Sequence, residues 1–505
     1  MMRIGPAAFV IAWIPLAATA ADFQADHRAI LDREAKALRA LGDGLARRGD
    51  AGRAGSIRDL ADPAVASNSA LIRIKPLPEV VPGGGGGLAS RPPAALDPEV
   101  SAIRDRAAEE LFQLAGQAAR ANRVAVADAC LRGVIDRQPD HSEARRLLGY
   151  VRHQGGWASP FAVEMLRKKK VDHPVFGWID SDWVPRLEQG ELPGRVVNGK
   201  PEQWLPAAQA DAMRSDIRRG WEINTAHFSI RTDVPLDKAI AFGRKLEHFR
   251  EAFHASVGDI FGAEAPLVRR FQNKSVPSVK PHEVWYFATK AEYVDHLRPT
   301  HGDGVELELG RYDPSPRRGS PGRSYFYRDD SGPIPIDATV YHEASHQILF
   351  ESGVRTGYEG NLGQYWVFEG LGTYFETLEI AEDGTIELGG FVGPRLSVAR
   401  QRIHDQAEIV PLTKLLGMNR SQFDGSSGGD VYLHYAQAMA LAVFLMHGEG
   451  GRYRPAFLDY AGDAYRGNYR RGTKAEPLPE RLGISAERLQ EEFRRYLGKQ
   501  PTDAG

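Results

Sequence analysis

Along most of this chain apolar residues recur every three to four positions, and strict alternation is confined to short runs in its middle. Ala25 to Arg48 is a charged, alanine-rich segment of helical character. Between Val100 and Val151, Ala107, Leu111, Leu114 and Ala118 stripe one helix, and Ala125, Ala129 and Val134 stripe the next. That pattern predicts a helical hairpin. Further on, Phe228 and Ile230 alternate with polar neighbours as a strand, and Leu236 to Val257 reads as an amphipathic helix. Val284 to Phe287 predicts a second strand, followed by a helix through Leu297. The runs 310–312 and 324–327 look like strand pieces joined by a basic Pro/Gly loop. Asp383-Gly384 between short apolar runs is a hairpin signal. The remainder is helical, at 432–446, 454–465 and 486–496. The expected fold class is α+β, mainly helical with a small mixed sheet.

Other stretches break the periodicity. From Pro63 to Pro98 the chain carries Pro76-Leu77-Pro78, Pro82, the glycines from Gly83 to Gly87, and Pro92-Pro93. This predicts a flexible linker without chemistry, because the glycine run lacks the Lys-Ser/Thr and the strand of a phosphate loop. The amino terminus has a basic Arg3, an apolar core from Ala7 to Leu16, and Ala18-Thr19-Ala20 before Ala21, the pattern of a cleavable export signal. Its apolar run is too short for a membrane span, and no other stretch is long enough. Trp157, Trp178, Trp183 and Trp204 lie in a Pro-rich segment without clear periodicity, where packing is the expected role. The boundaries that follow are a signal at 1–20, a helical segment at 21–62, a linker at 63–99, a helical region with a Trp/Pro-rich extension at 100–220, and a catalytic domain at 221–500.

Composition changes this picture little. A chain of 505 residues, 42% hydrophobic and 26% charged, suits two or three globular domains. A formal net charge of −2 points to no nucleic-acid partner and no membrane surface. The single cysteine, Cys130, excludes an internal disulfide and a cysteine-built zinc site, and its apolar helical surroundings place it in the core. An exported protein without disulfides fits a bacterium, with a periplasmic or extracellular location.

The chemistry concentrates between His342 and Glu376. His342-Glu343-Ala344-Ser345-His346 places two imidazoles at i and i+4, one above the other on a helix face, where both can reach one ion. Glu343 is rotated by about 100° from His342, positioned to act on a water at that ion without ligating it. Catalytic zinc takes three protein ligands and keeps one position open. Glu369, in a second helix-forming segment, is the candidate third ligand. Asp337 is placed to N-cap the first helix, Val340, Ala344 and Ile348 give it an apolar stripe, and Gly353 is placed to stop it. Gly370 and Gly372 each cost about 1 kcal/mol against Ala in a helix, which suggests a close backbone approach beside Glu369. Thr373 and Glu376 share the Glu369 face, and Glu376 is the candidate acceptor behind a ligand imidazole.

These two segments resemble the gluzincin metallopeptidases, the clan of thermolysin and aminopeptidase N, and within it the exported bacterial peptidase MA-like proteins. The pattern W-x-x-E-G-x-x-x-Y-x-E, from Trp366 to Glu376, is similar to the third-ligand helix of the aminopeptidases. The resemblance covers 221–497 and is specific at the motifs. Twenty-two residues separate His346 from Glu369, more than in aminopeptidase N relatives, and the Gly-x-Met-Glu-Asn strand that grips a substrate amino terminus is missing. A typical aminopeptidase is therefore not implied. The resemblance implies one zinc ion per chain on His342, His346 and Glu369, with Glu343 as general base in peptide hydrolysis. Tyr435 heads an apolar helix sixty-six residues after Glu369, as does the oxyanion-binding tyrosine of aminopeptidase N relatives, with Tyr432 and His434 as alternatives. The same ligand set could serve an epoxide hydrolase or another hydrolase of the clan. "VIDRQPDHSEARRLLGY" resembles the junction of two tetratricopeptide units, so the amino-terminal helical region could receive a protein partner. A second reading is an inactive metallopeptidase-like binding or scaffold protein; the intact Glu343 argues against it.

Overall fold

The computed structural model describes residues 20–61, 71–83, 98–315, 320–329, 336–352, 363–469 and 475–501. The export signal and most of the glycine run lie outside them, as does Gly353. The chain is a mixed α+β structure with small sheets. Among the described residues no helix is long and apolar enough to cross a membrane.

Alanine-rich periodicity builds the amino-terminal layer: α1 (Ala20–Arg47), α2 (Ala51–Leu60), α3 (Pro98–Arg120), α4 (Val124–Arg137) and α5 (Ser142–Leu148). The predicted stripe of α3 is buried at Ala107, Leu111, Leu114 and Ala118, and Cys130 is fully buried on α4. This layer is not a separate body. Arg123 donates to both carboxylate oxygens of Asp459, at 2.7 and 2.8 Å, and the Ala125 N–H donates to Asp259 at 2.9 Å. One apolar core runs continuously from Phe23 to Leu497.

One expectation needs correction here. The Pro-rich stretch around 71–83 is not a free linker. Ile72–Ile74 pairs antiparallel with Ile386–Leu388, Val80–Val81 pairs with Gly156–Ala158, and the Leu77 N–H donates to Glu251 at 2.9 Å. Proline removes the donor that would continue a ladder, so this strap pairs only in two short pieces on either side of Pro76 and Pro78. The Trp/Pro-rich extension, without clear periodicity in the sequence, folds partly into short strands. It holds short antiparallel pairs, such as Lys170–His173 with Gly177–Asp180 and Glu191–Pro193 with Trp204–Pro206. Trp183 and Trp204 pack edge to face across 5.7 Å.

The main sheet has five strands: β1 (Trp221–Asn224), β2 (Phe228–Thr232), β3 (His282–Phe287), β4 (Gly310–Asp313) and β5 (Arg323–Tyr327), in the order β1-β2-β3-β5-β4. β2, β3 and β5 run parallel, while β1 and β4 are antiparallel edges. Period-two alternation sends side chains to opposite faces. Val284, Tyr286 and Phe326 enter the main core, and Phe287, Tyr325 and Tyr327 enter a second cluster. α6 (Leu236–Val257) covers the first face, with Phe242 stacked on Tyr286 at 4.0 Å, and α7 (Lys290–His301) covers the second through Tyr293 and Leu297.

Beyond the sheet come α8 (Ile336–Glu351), α9 (Tyr365–Tyr374), α10 (Val431–His447), α11 (Arg454–Tyr465) and α12 (Ala486–Gly498). α8 lies beside β4 and β5, with Val340, Ala344 and Ile348 buried. Asp337 is not its N-cap: it sits inside the first turn and pairs with Lys245 of α6. α10 is apolar all round and buried from Leu433 to His447, so it forms the axis of the carboxyl-terminal half. Such a helix must be enclosed on all sides. α9 approaches it so closely that a Cβ on Gly370 would come 3.0 Å from the Ala438 carbonyl oxygen. Asp383-Gly384 turns a hairpin between Glu379–Ile380 and Ile386–Leu388, with Gly384 at φ +80°.

Candidate metal site

α8 and α9 each contribute what their spacing allows. His342 and His346, one turn apart on α8, have their Nε2 atoms 3.1 Å from each other. Glu369 Oε2, from α9, lies 3.4 Å from His342 Nε2 and 3.9 Å from His346 Nε2. Two ligand atoms about 2.05 Å from a shared tetrahedral ion stand roughly 3.3 Å apart, so these separations suit a common ion. The three residues form a largely buried group that could hold a metal ion.

The surroundings bear on that fit. His342 Nδ1 lies 3.1 Å from Glu376 Oε1, and Glu376 Oε2 accepts from Arg395 Nε at 3.0 Å. A carboxylate oxygen accepts, so with an ion bound Nδ1 would carry the proton and leave Nε2 to face the ion. Such a carboxylate behind a ligand imidazole sets its tautomer and raises its basicity. Glu376 reaches this position from the short 3₁₀ turn Phe375–Thr377 that extends α9. Gly372 makes room: a Cβ there would stand 2.9 Å from His342 Nε2 and 3.0 Å from Cε1. Thus of the two glycines flagged by the sequence, Gly370 admits a backbone and Gly372 admits the imidazole itself. Thr373 faces inward but its hydroxyl is taken by the Glu369 carbonyl, at 2.7 Å.

Electrostatics favour a cation here. Burial works against a charged His342, yet hydrogen bonds to Glu369 and Glu376 outweigh it and raise its pKa to about 10. Burial lowers His346 to about 4. For Glu369 burial opposes ionisation, but His342, His346 and the Tyr365 hydroxyl bring it down to about 2. Without an ion, His342 is therefore the imidazole that carries the additional proton, between Glu369 and Glu376. A bound metal would take the place of that charge, with both imidazoles neutral.

Glu343 stands to the side of this group. Its Oε2 accepts a hydrogen bond from the Tyr312 N–H of β4 at 3.1 Å, and burial pushes its pKa up to about 7. Tyr435, near the start of α10, lines the same cleft, with the Arg395 guanidinium 5.6 Å from its ring centre. Burial, then the charges of Glu369 and Glu343, raise its phenol pKa, so it remains a donor. The alternatives are placed differently. Tyr432 is 77% exposed at the cleft rim, and His434 is buried with Nδ1 donating to the Phe423 carbonyl at 2.8 Å.

His342, Glu343, His346, Glu369, Glu376, Tyr432 and Tyr435 line one cleft of about 950 Å³, and His434 does not. Three of its members were not singled out in the sequence. Tyr365 is one turn before Glu369, so helical spacing alone could have marked it. Arg395 and the Tyr312 amide carry no such signal, because neither shares a helix with the residue it holds.

Residues 336–462, which include His342, Glu343, His346, Glu369, Glu376 and Tyr435, match a family model described as "Protein of unknown function (DUF1570)". No curated protein matches the chain.

Proposed function

We propose that this protein is an exported zinc-dependent peptidase, as its resemblance to the gluzincins implies. The observation that carries the reading is Glu343, held by an edge-strand amide beside a His-His-Glu group. A purely structural ion site has no use for a buried carboxylate in that position. Zinc suits two imidazoles and a carboxylate, and when bound it would polarise a carbonyl and bring the pKa of a water to about 7.

The chain's own residues would do the rest. Glu343 takes a proton from the attacking water and delivers it to the leaving amine, a role suited to a carboxyl raised to about 7. Tyr435 donates to the oxygen on which negative charge develops. Glu376 and Arg395 keep His342 oriented. Among the described residues β4 is an edge strand that lines the cleft, and an edge strand can pair with an extended chain. Leu307, 88% exposed, and Tyr432, 77% exposed, both lie at the cleft mouth, as suits a substrate with apolar side chains.

The test is hydrolysis of a mixed peptide library by purified protein, with and without chelator, alongside zinc analysis of His346→Ala. Chelator-sensitive cleavage and zinc lost from the variant are expected. Equal zinc in both proteins removes the metal assignment, and zinc binding without cleavage favours the scaffold reading. Export is tested by the amino terminus of protein from its native host, expected at Ala21 or a close neighbour.

A further inference from the structure

The cations lining the cleft, among the described residues, are Arg311, Arg395 and Arg420. They are not equivalent. Arg311 is neutralised by Glu308 at 2.7 Å and Asp313 at 2.6 Å. Arg395 donates its Nε to Glu376 at 3.0 Å. Among the described residues Arg420 has no such hydrogen-bonded carboxylate: it meets Asp424 only across 3.9 Å from Nε, an ion pair beyond hydrogen-bond length. Its guanidinium carbon lies 5.9 Å from the ring centre of Tyr365, and its side chain is 68% exposed.

Position gives this difference its meaning. The Tyr365 hydroxyl reaches Glu369, one turn along α9, so the ring spans from the candidate ligand outward to Arg420. An extended peptide advances about 3.3 Å per residue. A cation over the face of that ring, 5.9 Å from its centre, is therefore within about three residues of a bond cut at the metal site. A guanidinium is a planar fork of donors matched to a carboxylate, and one resting on an aromatic face keeps part of that fork available. With Arg311 and Arg395 committed to protein carboxylates, Arg420 is the lining cation left for a substrate anion.

We propose that Arg420 selects polypeptides bearing a carboxylate a few residues from the cleaved bond, either an Asp or Glu side chain or the chain's own carboxyl terminus. This inference rests on the peptidase reading, and it concerns binding rather than the chemical step.

The test is calorimetric binding to full-length Glu343→Gln protein, using matched ten-residue peptides. One carries a central Glu and an amidated end, a second a central Gln and a free carboxyl end, and a third a central Gln and an amidated end. At least one carboxylate peptide should bind about tenfold more tightly than the third, and which one does identifies the source of the carboxylate. Adding Arg420→Gln should abolish the preference, Arg420→Lys should restore part of it, and zinc content should not change. The preference should also weaken as salt is raised. Equal binding of all three peptides, a preference that survives Arg420→Gln, or no binding of any peptide overturns the inference. Carboxylate-selective binding with no cleavage by the wild type would instead remove the peptidase reading. Glu343-dependent cleavage indifferent to carboxylate and to Arg420 would leave that reading intact and remove this one.

Discussion

The helix pair α8–α9 and the strap at 71–83 are held by opposite kinds of information. In the helix pair, some residues that meet are one turn apart, His342 with His346 and Glu369 with Tyr365, and His342 meets Glu376 across only 34 positions. In the strap, Arg73 meets Glu387 across 314 positions, at 2.8 Å. Local spacing announces the first region's chemistry, and nothing local announces the second region's partner. The site should accordingly respond to changes in single atoms, and the strap to lost packing area.

The sharpest way to break this comparison is at Glu343. Glu343→Gln keeps size and shape but cannot accept a proton, so peptide hydrolysis should fall by roughly 10²–10⁴-fold while zinc content stays at wild-type level. Zinc lost from that variant would make Glu343 a ligand and reassign the whole site. Next is Tyr435→Phe, which should lower kcat roughly 10²–10³-fold with little change in KM or zinc. An unimpaired kcat would return Tyr435 to packing and turn attention to Tyr365.

Gly372→Ala separates fold from site most cleanly. Its methyl would press on the His342 ring from 2.9 Å, yet alanine is the better helix former. Zinc affinity should fall by about 10–100-fold, as for lost supporting contacts, without loss of thermal stability. Glu376→Gln should weaken zinc within the same range by removing the charged acceptor behind Nδ1. A variant that loses stability and zinc in proportion would show that the glycine serves packing alone.

The strap's effects should fall on stability and leave the site alone. Ile74→Ala removes a buried apolar side chain and should cost about 2–4 kcal/mol of stability, with zinc affinity of the folded protein unchanged. Arg73→Ala removes a largely exposed ion pair and should cost less than about 1 kcal/mol. If either change weakened zinc binding, the strap would be coupled to the site through the Ile386–Leu388 hairpin, and the contrast drawn above would fail.

Much of the architecture was legible because helical and strand periodicities are properties of adjacent residues. α6 and α11 occupy the predicted spans of 236–257 and 454–465. The strands around Phe228, Val284, Tyr312 and Tyr325 extend the predicted ones by one or two residues at some ends. The i, i+4 spacing of His342 and His346 likewise pointed to a common ion, and the fold brings their ligand atoms and that of Glu369, the candidate from a second helix-forming segment, within 4.8 Å of one another. Tertiary structure alone decided that Pro76-Leu77-Pro78 belongs to a strap and that the tryptophan-rich extension folds into short hairpins. It also decided that Arg395 buttresses Glu376, that the Tyr312 amide holds Glu343, and that Arg420, among the described residues, has no carboxylate within hydrogen-bond length. Helix spacing depends on a fixed rise and rotation per residue, so it is written into neighbouring positions. A strand partner, a supporting arginine or an uncommitted cation depends on which distant segments come together, and no periodicity within either segment encodes the other.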